Sequence, residues 1–211
     1  MPSIYSLKPR FQALLRPLAR LLARSGVTAN HITLVACALS VMLGLLLSFR
    51  IEDRRLFLML PGFLFVRMAL NALDGMLARE FGQKSDLGAY LNELTDVISD
   101  GFLFLPFAYL PEFEPLWIGV VIWLSAISEM AGTVAVMTGA GRRYDGPMGK
   151  SDRAFVFGAL ALWIGAGRAV PPWLGWGLPR LLGLLLLVTI VNRVLGGLAE
   201  RRASQAGKGS S

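Results

Sequence analysis

The sequence has little of the chemistry on which soluble enzymes and secreted modules depend. Its single cysteine, Cys37, excludes an internal disulfide and a cysteine metal site, and its single histidine, His31, excludes a metal centre that needs several imidazoles. Only 17% of the 211 residues are charged, whereas a soluble domain averages about 25%. That is too little charge to cover a soluble surface. Because 55% of the residues are hydrophobic, the composition indicates a membrane protein and excludes a disordered chain.

The charge that is present is mainly basic. Lysine and arginine number 21 against 14 acidic residues, which gives a formal net charge of +7. A basic chain of this kind suits anionic lipid head groups or phosphorylated ligands. We therefore expect membrane lipids as partners, and we expect no nucleic acid.

Six stretches of the chain are apolar enough to cross a membrane, since a spanning helix needs about 20 such residues. They cover residues 32–49, 56–77, 88–109, 116–138, 154–167 and 178–198, and the fifth of them is short. The predicted fold class is an all-α bundle of six transmembrane helices. Lysine and arginine are concentrated in the loops on one side of this bundle, which predicts that both termini are cytoplasmic and that the membrane is a bacterial inner membrane.

The segment that precedes the first span has a different pattern. Over residues 9–24, leucines and a phenylalanine share one side of the helical wheel and arginines share the other. This pattern is typical of an amphipathic helix that lies on a membrane surface. The predicted organisation is a juxtamembrane helix at 1–26, a six-span domain at 27–200 and a disordered basic tail at 201–211.

Polar residues inside the second and third spans form the most informative cluster, because ionisable groups within a membrane are costly and usually functional. With 100° per residue, two polar faces arise near the cytoplasmic loop that joins these spans. They consist of Arg67, Asn71, Asp74, Gly75 and Ala78 on the second span, and of Asn92, Glu93, Asp96 and Asp100 on the third. The connecting loop is short, so the two faces can meet. Oxygen ligands without histidine or cysteine favour Mg²⁺, Mn²⁺ or Ca²⁺ over zinc, and such an ion suits a phosphate-bearing substrate. The alternative is that each acid pairs with an arginine in a purely structural role.

The spacing of this cluster resembles the signature of the CDP-alcohol phosphotransferase family, also called the CDP-alcohol phosphatidyltransferase family. That signature reads Asp-x2-Asp-Gly-x2-Ala-Arg-x8-Gly-x3-Asp-x3-Asp. Residues 71–96 match all of its spacings and six of its eight fixed positions, with Asn71 and Asn92 in place of the first and third aspartates. The approach to the first span at 27–33 and the six-span architecture are also similar to the family.

The resemblance implies an activity and a cofactor. Members of the family use an alcohol to displace CMP from a CDP-linked lipid, here CDP-diacylglycerol with a small alcohol as acceptor. In the usual family the four signature aspartates hold a pair of divalent ions. Carried over by position, Asp74 and Asp96 are metal ligands for Mg²⁺ or Mn²⁺, and Asp96 is also the general base. The resemblance further implies a homodimer.

Other positions of the signature carry implied binding roles. Gly75, Ala78 and Gly88 leave room for the cytidine nucleotide, and Arg79 contacts its phosphates. Outside the signature, Lys150 and Arg153 at the start of the fifth span are expected to bind the donor diphosphate, an acceptor phosphate or lipid head groups.

The two asparagines leave three alternatives open, because they remove two negative charges from the site. In one, a single metal suffices and Asn71 and Asn92 are neutral ligands. In another, Glu93 and Asp100 restore the charge as additional ligands. In the last, catalysis is impaired and the chain binds CDP-lipid or metal as a scaffold or regulator.

Overall fold

The structure, a computed structural model, describes residues 7–208, and it describes side chains for residues 11–206. The described chain is helical and contains no strand. Its helices are α1 Leu7–Arg24, α2 Ala29–Phe49, α3 Met59–Glu80, α4 Asp86–Phe104, α5 Pro115–Met137, α6 Lys150–Gly165 and α7 Pro172–Lys208, and short 3-10 helices precede α3 and follow α4. The predicted all-α fold class is confirmed for these residues.

Four helical segments in the described part of the chain are long and apolar enough to cross a membrane. They are Ala29–Phe49, Arg54–Glu80, Pro115–Met137 and Pro172–Ala206, which overlap the first, second, fourth and sixth predicted spans. Helix α4 lacks this character because its length is interrupted by acidic side chains. Helix α6 has only 16 residues and covers about 24 Å, less than the hydrocarbon core of a bilayer. Four of the six predicted spans thus have this character in the structure, and the crossing of the third and fifth stays a prediction.

Helix α1 packs along α3 instead of standing apart from the bundle. Ala19 is fully buried between the two helices, and Arg16 pairs with Glu80 at 3.0 Å. Leu14 and Leu21 remain 75% and 60% exposed. Helix α1 thus buries one side against α3 and leaves several of its leucines exposed. That α1 lies on a membrane surface stays a prediction.

The main hydrophobic core lies among the apolar halves of the helices, away from the acidic residues. Phe104 of α4 stacks on Phe157 of α6 with ring centroids 3.9 Å apart, and Phe107 meets Phe157 edge-on at 5.0 Å. Helices α2 and α4 cross closely at Gly44, where a Cβ atom would collide with the backbone carbonyl of Phe102. Close packing through glycine is common between membrane helices. It fixes α4 beside α2.

Helix α7 continues to Lys208, beyond the start of the predicted disordered tail. Glu200 accepts a hydrogen bond from the backbone N–H of Gly141 at 2.9 Å and pairs with Arg143 at 2.7 Å. Alanine, glutamate, glutamine and arginine in this stretch are also good helix formers. Residues 201–208 are therefore helical where the sequence predicted disorder, and residues 209–211 lie outside the described residues.

Candidate active site

The polar faces of α3 and α4 lie opposite each other, as the sequence predicted. A short turn joins the helices: Gly82 has a φ of 69°, which suits glycine, and Ser85 caps α4 by accepting a hydrogen bond from Gly88 N at 3.0 Å. Both helices pack against α2. Because α3 and α4 each pack on α2 and contact each other little, polar side chains occupy the space between α3 and α4.

Asp96 accepts more side-chain hydrogen bonds than the other predicted carboxylates. Its Oδ1 accepts hydrogen bonds from Arg67 Nη2 at 3.3 Å and from Asn71 Nδ2 at 3.4 Å. The Lys150 ammonium group, from the first residue of α6, contacts the same oxygen. Two cations and one amide, from α3 and α6, thus converge on one carboxylate of α4, whose side chain is 19% exposed.

A polar cavity of about 530 Å³ opens at the end of α3 and the start of α4, and Asp96 is not among the residues that line it. Seven predicted site residues line it, namely Asp74, Gly75, Ala78, Arg79, Gly88, Asn92 and Glu93. Side chains that the sequence analysis did not select complete the walls, among them Asn30, Thr33 and Lys84. The signature spacing therefore brings seven of the predicted site residues to one cavity.

Asp74 is buried in the wall of this polar cavity and is oriented by α2. Thr33 donates a hydrogen bond from Oγ1 to Asp74 Oδ2 at 2.9 Å, and both residues are less than a tenth exposed. Sequence reasoning missed Thr33, although a hydroxyl one turn into an otherwise apolar helix was an available signal.

The glycines of the signature make room for polar side chains along the cavity wall. A Cβ atom on Gly75 would lie 2.7 Å from Nη2 of Arg79, so the guanidinium group extends over Gly75. A Cβ on Gly88 would lie 2.9 Å from the amide oxygen of Asn30. Small residues here allow Arg79 and Asn30 to face the cavity.

Glu93 lies in the polar cavity but already has partners. Arg142, from the loop after α5, pairs with it at 2.7 Å, and Thr133 donates a hydrogen bond to it at 3.1 Å. Sequence analysis had left open both a ligand role and pairing with a loop cation. The geometry favours pairing, and a metal-ligand role for Glu93 stays a prediction.

Asp100 and Arg153 belong to a buried chain of ion pairs. Asp100 contacts Arg67 at 2.7 Å and Arg153 at 2.9 Å, one guanidinium on each carboxylate oxygen. Arg153 also pairs with Glu129 at 2.9 Å, and Glu129 pairs with Arg193 of α7 at 3.3 Å. Buried charges need partners of this kind. The geometry favours the structural alternative for both residues, and their predicted ligand roles stay predictions.

An apolar groove of about 600 Å³ runs between α3 and α6, and the sequence did not predict it. Its walls include Leu64, Phe65, Phe155, Gly158 and Leu162. Its polar end is formed by Arg67, Asn71 and Lys150. Because the groove depends on how two helices from distant parts of the chain pack, no local pattern could have indicated it.

The loop before α6 determines where Lys150 is placed. Gly146, with a φ of 118°, packs so closely on Thr189 of α7 that a Cβ would lie 2.6 Å from the Thr189 Cα. Met148 N donates a hydrogen bond to Thr189 Oγ1 at 3.0 Å. In the same loop, the ion pair with Arg143 lowers the pKa of Asp145. The loop is thus held against α7 at several points.

The predicted ligand residues supply the kinds of oxygen donor that a hard divalent cation prefers. Two carboxylates, Asp74 and Asp96, and two amides, Asn71 and Asn92, supply oxygen atoms of the type that Mg²⁺ and Mn²⁺ prefer. Within the described residues, no three acidic, histidine or cysteine side chains converge to hold a metal ion. Two carboxylate charges balance one dication.

Comparison with known proteins finds a matching family model and proteins of similar sequence. A family model described as CDP-alcohol phosphatidyltransferase matches residues 26–193. The chain is 49% identical over 193 residues to the inner membrane protein YnbA of Escherichia coli (strain K12), covering 90% of this chain and 94% of YnbA. It is 29% identical over 190 residues to phosphatidylinositol phosphate synthase of Mycobacterium marinum (strain ATCC BAA-535 / M), covering 86% and 77% of the two chains.

Solved structures of the Mycobacterium tuberculosis phosphatidylinositol phosphate synthase PgsA1 share the fold. The complex with manganese and citrate matches with a TM-score of 0.70 at 24% identity, covering 86% of this chain and 88% of that one. The form with CDP-DAG bound matches with a TM-score of 0.66 at 22% identity, covering 88% and 92%. At these identities the likeness is one of fold.

Proposed function

Because the chain belongs to the CDP-alcohol phosphatidyltransferase family, we propose that it transfers a phosphatidyl group from CDP-diacylglycerol to a small alcohol and releases CMP. The alcohol oxygen forms a bond to the phosphorus that carries the diacylglycerol, and the bond from that phosphorus to the CMP oxygen breaks. Asp96 accepts the proton of the attacking hydroxyl. CMP leaves with the electron pair of the broken bond.

The observation that carries this proposal is that two cavities of opposite character lie along α3. Asp74 lines the polar cavity, and Asn71, one helical turn away, lines the polar end of the apolar groove. A CDP-linked lipid has the same division, with a charged nucleotide and two hydrocarbon chains. The proposal places the nucleotide in the polar cavity, near Arg79, and an acyl chain in the groove.

The groups that hold Asp96 support its role as the base. Arg67, Asn71 and Lys150 all contact Oδ1 and fix the carboxylate plane. A positioned base of this kind contributes about 10² to 10⁴ in rate.

We propose Mg²⁺ or Mn²⁺ as the cofactor, held by Asp74 and Asp96 with the amides of Asn71 and Asn92. Such an ion supplies charge neutralisation at the transferred phosphate. The solved PgsA1 structure with manganese supports a divalent ion in this fold. Thr33 orients Asp74 toward this function from the second helix.

The membrane arrangement is also a proposal. We propose that α4 and α6 cross together with the four apolar helices, that both termini are cytoplasmic, and that the chain is a homodimer of the bacterial inner membrane. The relative YnbA, which is described as an inner membrane protein, supports that location. An active site at the cytoplasmic face allows the lipid chains to stay in the bilayer while the nucleotide enters from water.

A second candidate is a relative that binds CDP-lipid or metal without turnover, as a scaffold or regulator. Asn71 and Asn92 favour it, because they lower the negative charge available for a metal.

One assay separates the two candidates. Purified protein in detergent is incubated with labelled CDP-diacylglycerol, Mg²⁺ or Mn²⁺, and a panel of glycerol phosphate, serine, inositol, inositol phosphate and choline. The enzyme releases CMP with one of them, and Asp96→Asn lowers that release about 10²-fold or more. Glu52→Gln, which removes an exposed carboxylate, is the control and retains activity. Binding of CDP-diacylglycerol without CMP release across all acceptors and metals would establish the scaffold.

A further inference from the structure

We infer that the Lys150 ammonium group stands where a second dication would sit, so that this site takes one divalent cation per chain. The inference rests on the proposed function, because it concerns the cation that the site uses. It departs from the pair of ions that the resemblance implies. Three features of the structure carry it: the donors on Asp96, the amide at position 71, and the way in which Lys150 is held.

The donors on Asp96 already supply positive charge. Lys150 and Arg67 both contact Oδ1, so two cationic groups face one carboxylate. A dication bound to that oxygen would lie in contact with an ammonium group of like charge. Such a pair is strongly unfavourable in a poorly solvated site. The Oδ1 side of Asp96 therefore excludes a metal ion.

The residue at position 71 fits this arrangement. Asn71 donates from Nδ2 to Asp96 Oδ1 at 3.4 Å. An aspartate at that position would bring a second carboxylate against Asp96, and two neighbouring carboxylates require additional positive charge. The amide supplies a donor instead of a charge. One ammonium group is then enough on this side of the site.

The fold holds the backbone of Lys150 in place. It is the first residue of α6, directly after the segment that Met148 and Gly146 fix to Thr189. One turn later, Arg153 is anchored between Asp100 and Glu129. The start of α6 is therefore anchored, which keeps the backbone of Lys150 at a position from which its ammonium group reaches Asp96.

The remaining position for a metal ion lies on the side of Asp74. Asp74 and Asn92 both line the polar cavity, and Thr33 occupies only Oδ2 of Asp74 among the contacts described. Asp96 can contribute its second oxygen from the opposite helix. One dication between Asp74 and Asp96 is balanced by their two charges.

The test is the number of Mn²⁺ ions that bind to purified, chelator-stripped full-length protein in detergent. Free Mn²⁺ is measured by electron paramagnetic resonance during a titration, which requires no turnover. We expect one ion per chain and a spectrum without spin coupling. Two ions about 3.5 to 4 Å apart would give an exchange-coupled spectrum. A count of two with that coupling in the unaltered protein overturns the inference.

Variants test the role of Lys150 directly. Asn71→Asp combined with Lys150→Met restores a carboxylate and removes the ammonium group, and we expect two coupled ions per chain. Asn71→Asp combined with Lys84→Met is the matched control, because it removes a lysine of the polar cavity that makes no ion pair with Asp96 among the described contacts. We expect the control to bind one ion. Lys150→Met alone should tighten binding of the single ion about tenfold by removing a like charge.

A folded Asn71→Asp, Lys150→Met protein that binds only one ion also overturns the inference. If that variant does not give a monodisperse protein, Asn71→Asp with Lys150→Gln replaces it, and the count for the unaltered protein decides in any case. Failure of the proposed function is seen separately, as an absence of CMP release from a protein that binds one ion. Two bound ions together with CMP release reject the inference alone.

Discussion

Thr33 on α2 donates a 2.9 Å hydrogen bond to Asp74 on α3, and the two residues are separated by 41 positions in the chain. The contact is buried and lies in the wall of the polar cavity. It connects the first turns of a largely apolar helix to the acidic residue of the signature. The orientation of Asp74 therefore depends on how α2 and α3 pack.

Thr33→Val removes this hydrogen bond while keeping the shape of the side chain. A hydrogen bond to a charged group contributes about 1.5 to 3 kcal/mol, so we expect Mn²⁺ affinity to fall about tenfold or more. Thr33→Ser keeps the hydroxyl and should restore affinity. Equal Mn²⁺ affinity in the valine and serine variants would contradict a positioning role for Thr33.

Asp100→Asn tests whether Asp100 is structural. It leaves Arg67 and Arg153 buried without a full counter-charge, which costs about 3 to 5 kcal/mol of unfolding free energy. Removing one of the cations as well, in Arg67→Gln with Asp100→Asn, should destabilise the protein by less than the sum of the single changes. Denaturant unfolding in detergent measures these differences.

The same variant separates the two roles that the sequence left open for Asp100. A structural residue changes stability and leaves the Mn²⁺ count unchanged. If Asp100→Asn instead abolished Mn²⁺ binding with little loss of stability, Asp100 would be a metal ligand.

Gly158→Leu tests the apolar groove. A Cβ at Gly158 already lies 3.2 Å from Leu64 Cδ1, so a leucine side chain must occupy the groove. We expect the KM for CDP-diacylglycerol to rise about tenfold, because an acyl chain loses several buried methylene groups at about 0.8 kcal/mol each. Gly119→Leu, on the exposed surface of α5 with open space around it, is the matched control. An unchanged KM in Gly158→Leu would place the acyl chain elsewhere.

Acid should loosen the loop before α6. The pKa of Asp145 is lowered by its ion pair with Arg143, so the pair contributes stability above the ordinary pKa of about 3.8 and loses it as the pH falls through the lowered value. We expect the thermal midpoint to decrease below about pH 4, with a smaller decrease in Asp145→Asn. The effect is small, because the carboxylate is substantially exposed and screened by salt. Identical pH profiles for the two proteins would show that the pair adds nothing.

Much of the architecture and of the polar cavity follows from local pattern. Apolar runs are long enough to predict the helices, and a three-residue spacing on α3 brings Asn71 and Asp74 to one face. The turn between α3 and α4 is too short to allow anything but an antiparallel pair. Spacing alone was thus sufficient to bring Asp74, Gly88 and Asn92 to one cavity, as the structure confirms.

The local sequence pattern could not predict which cations pair with each acidic residue. Asp96 and Asp100 are one helical turn apart and look equivalent in the sequence. In the structure Asp96 contacts Lys150 of the apolar groove's polar end, whereas Asp100 pairs with Arg67 and Arg153. The difference arises because α6, more than 50 residues away, inserts one cation at each level.

The amino-acid sequence by itself determined most of the helices, the polar faces of α3 and α4 and the exclusion of histidine or cysteine metal centres, since periodicity and composition act over a few residues. Tertiary structure alone decided which carboxylates meet cations, how Thr33 holds Asp74, and that a groove runs between α3 and α6. The physical reason is that burial and ion pairing depend on atoms brought together by packing, and packing joins residues that no sequence window contains.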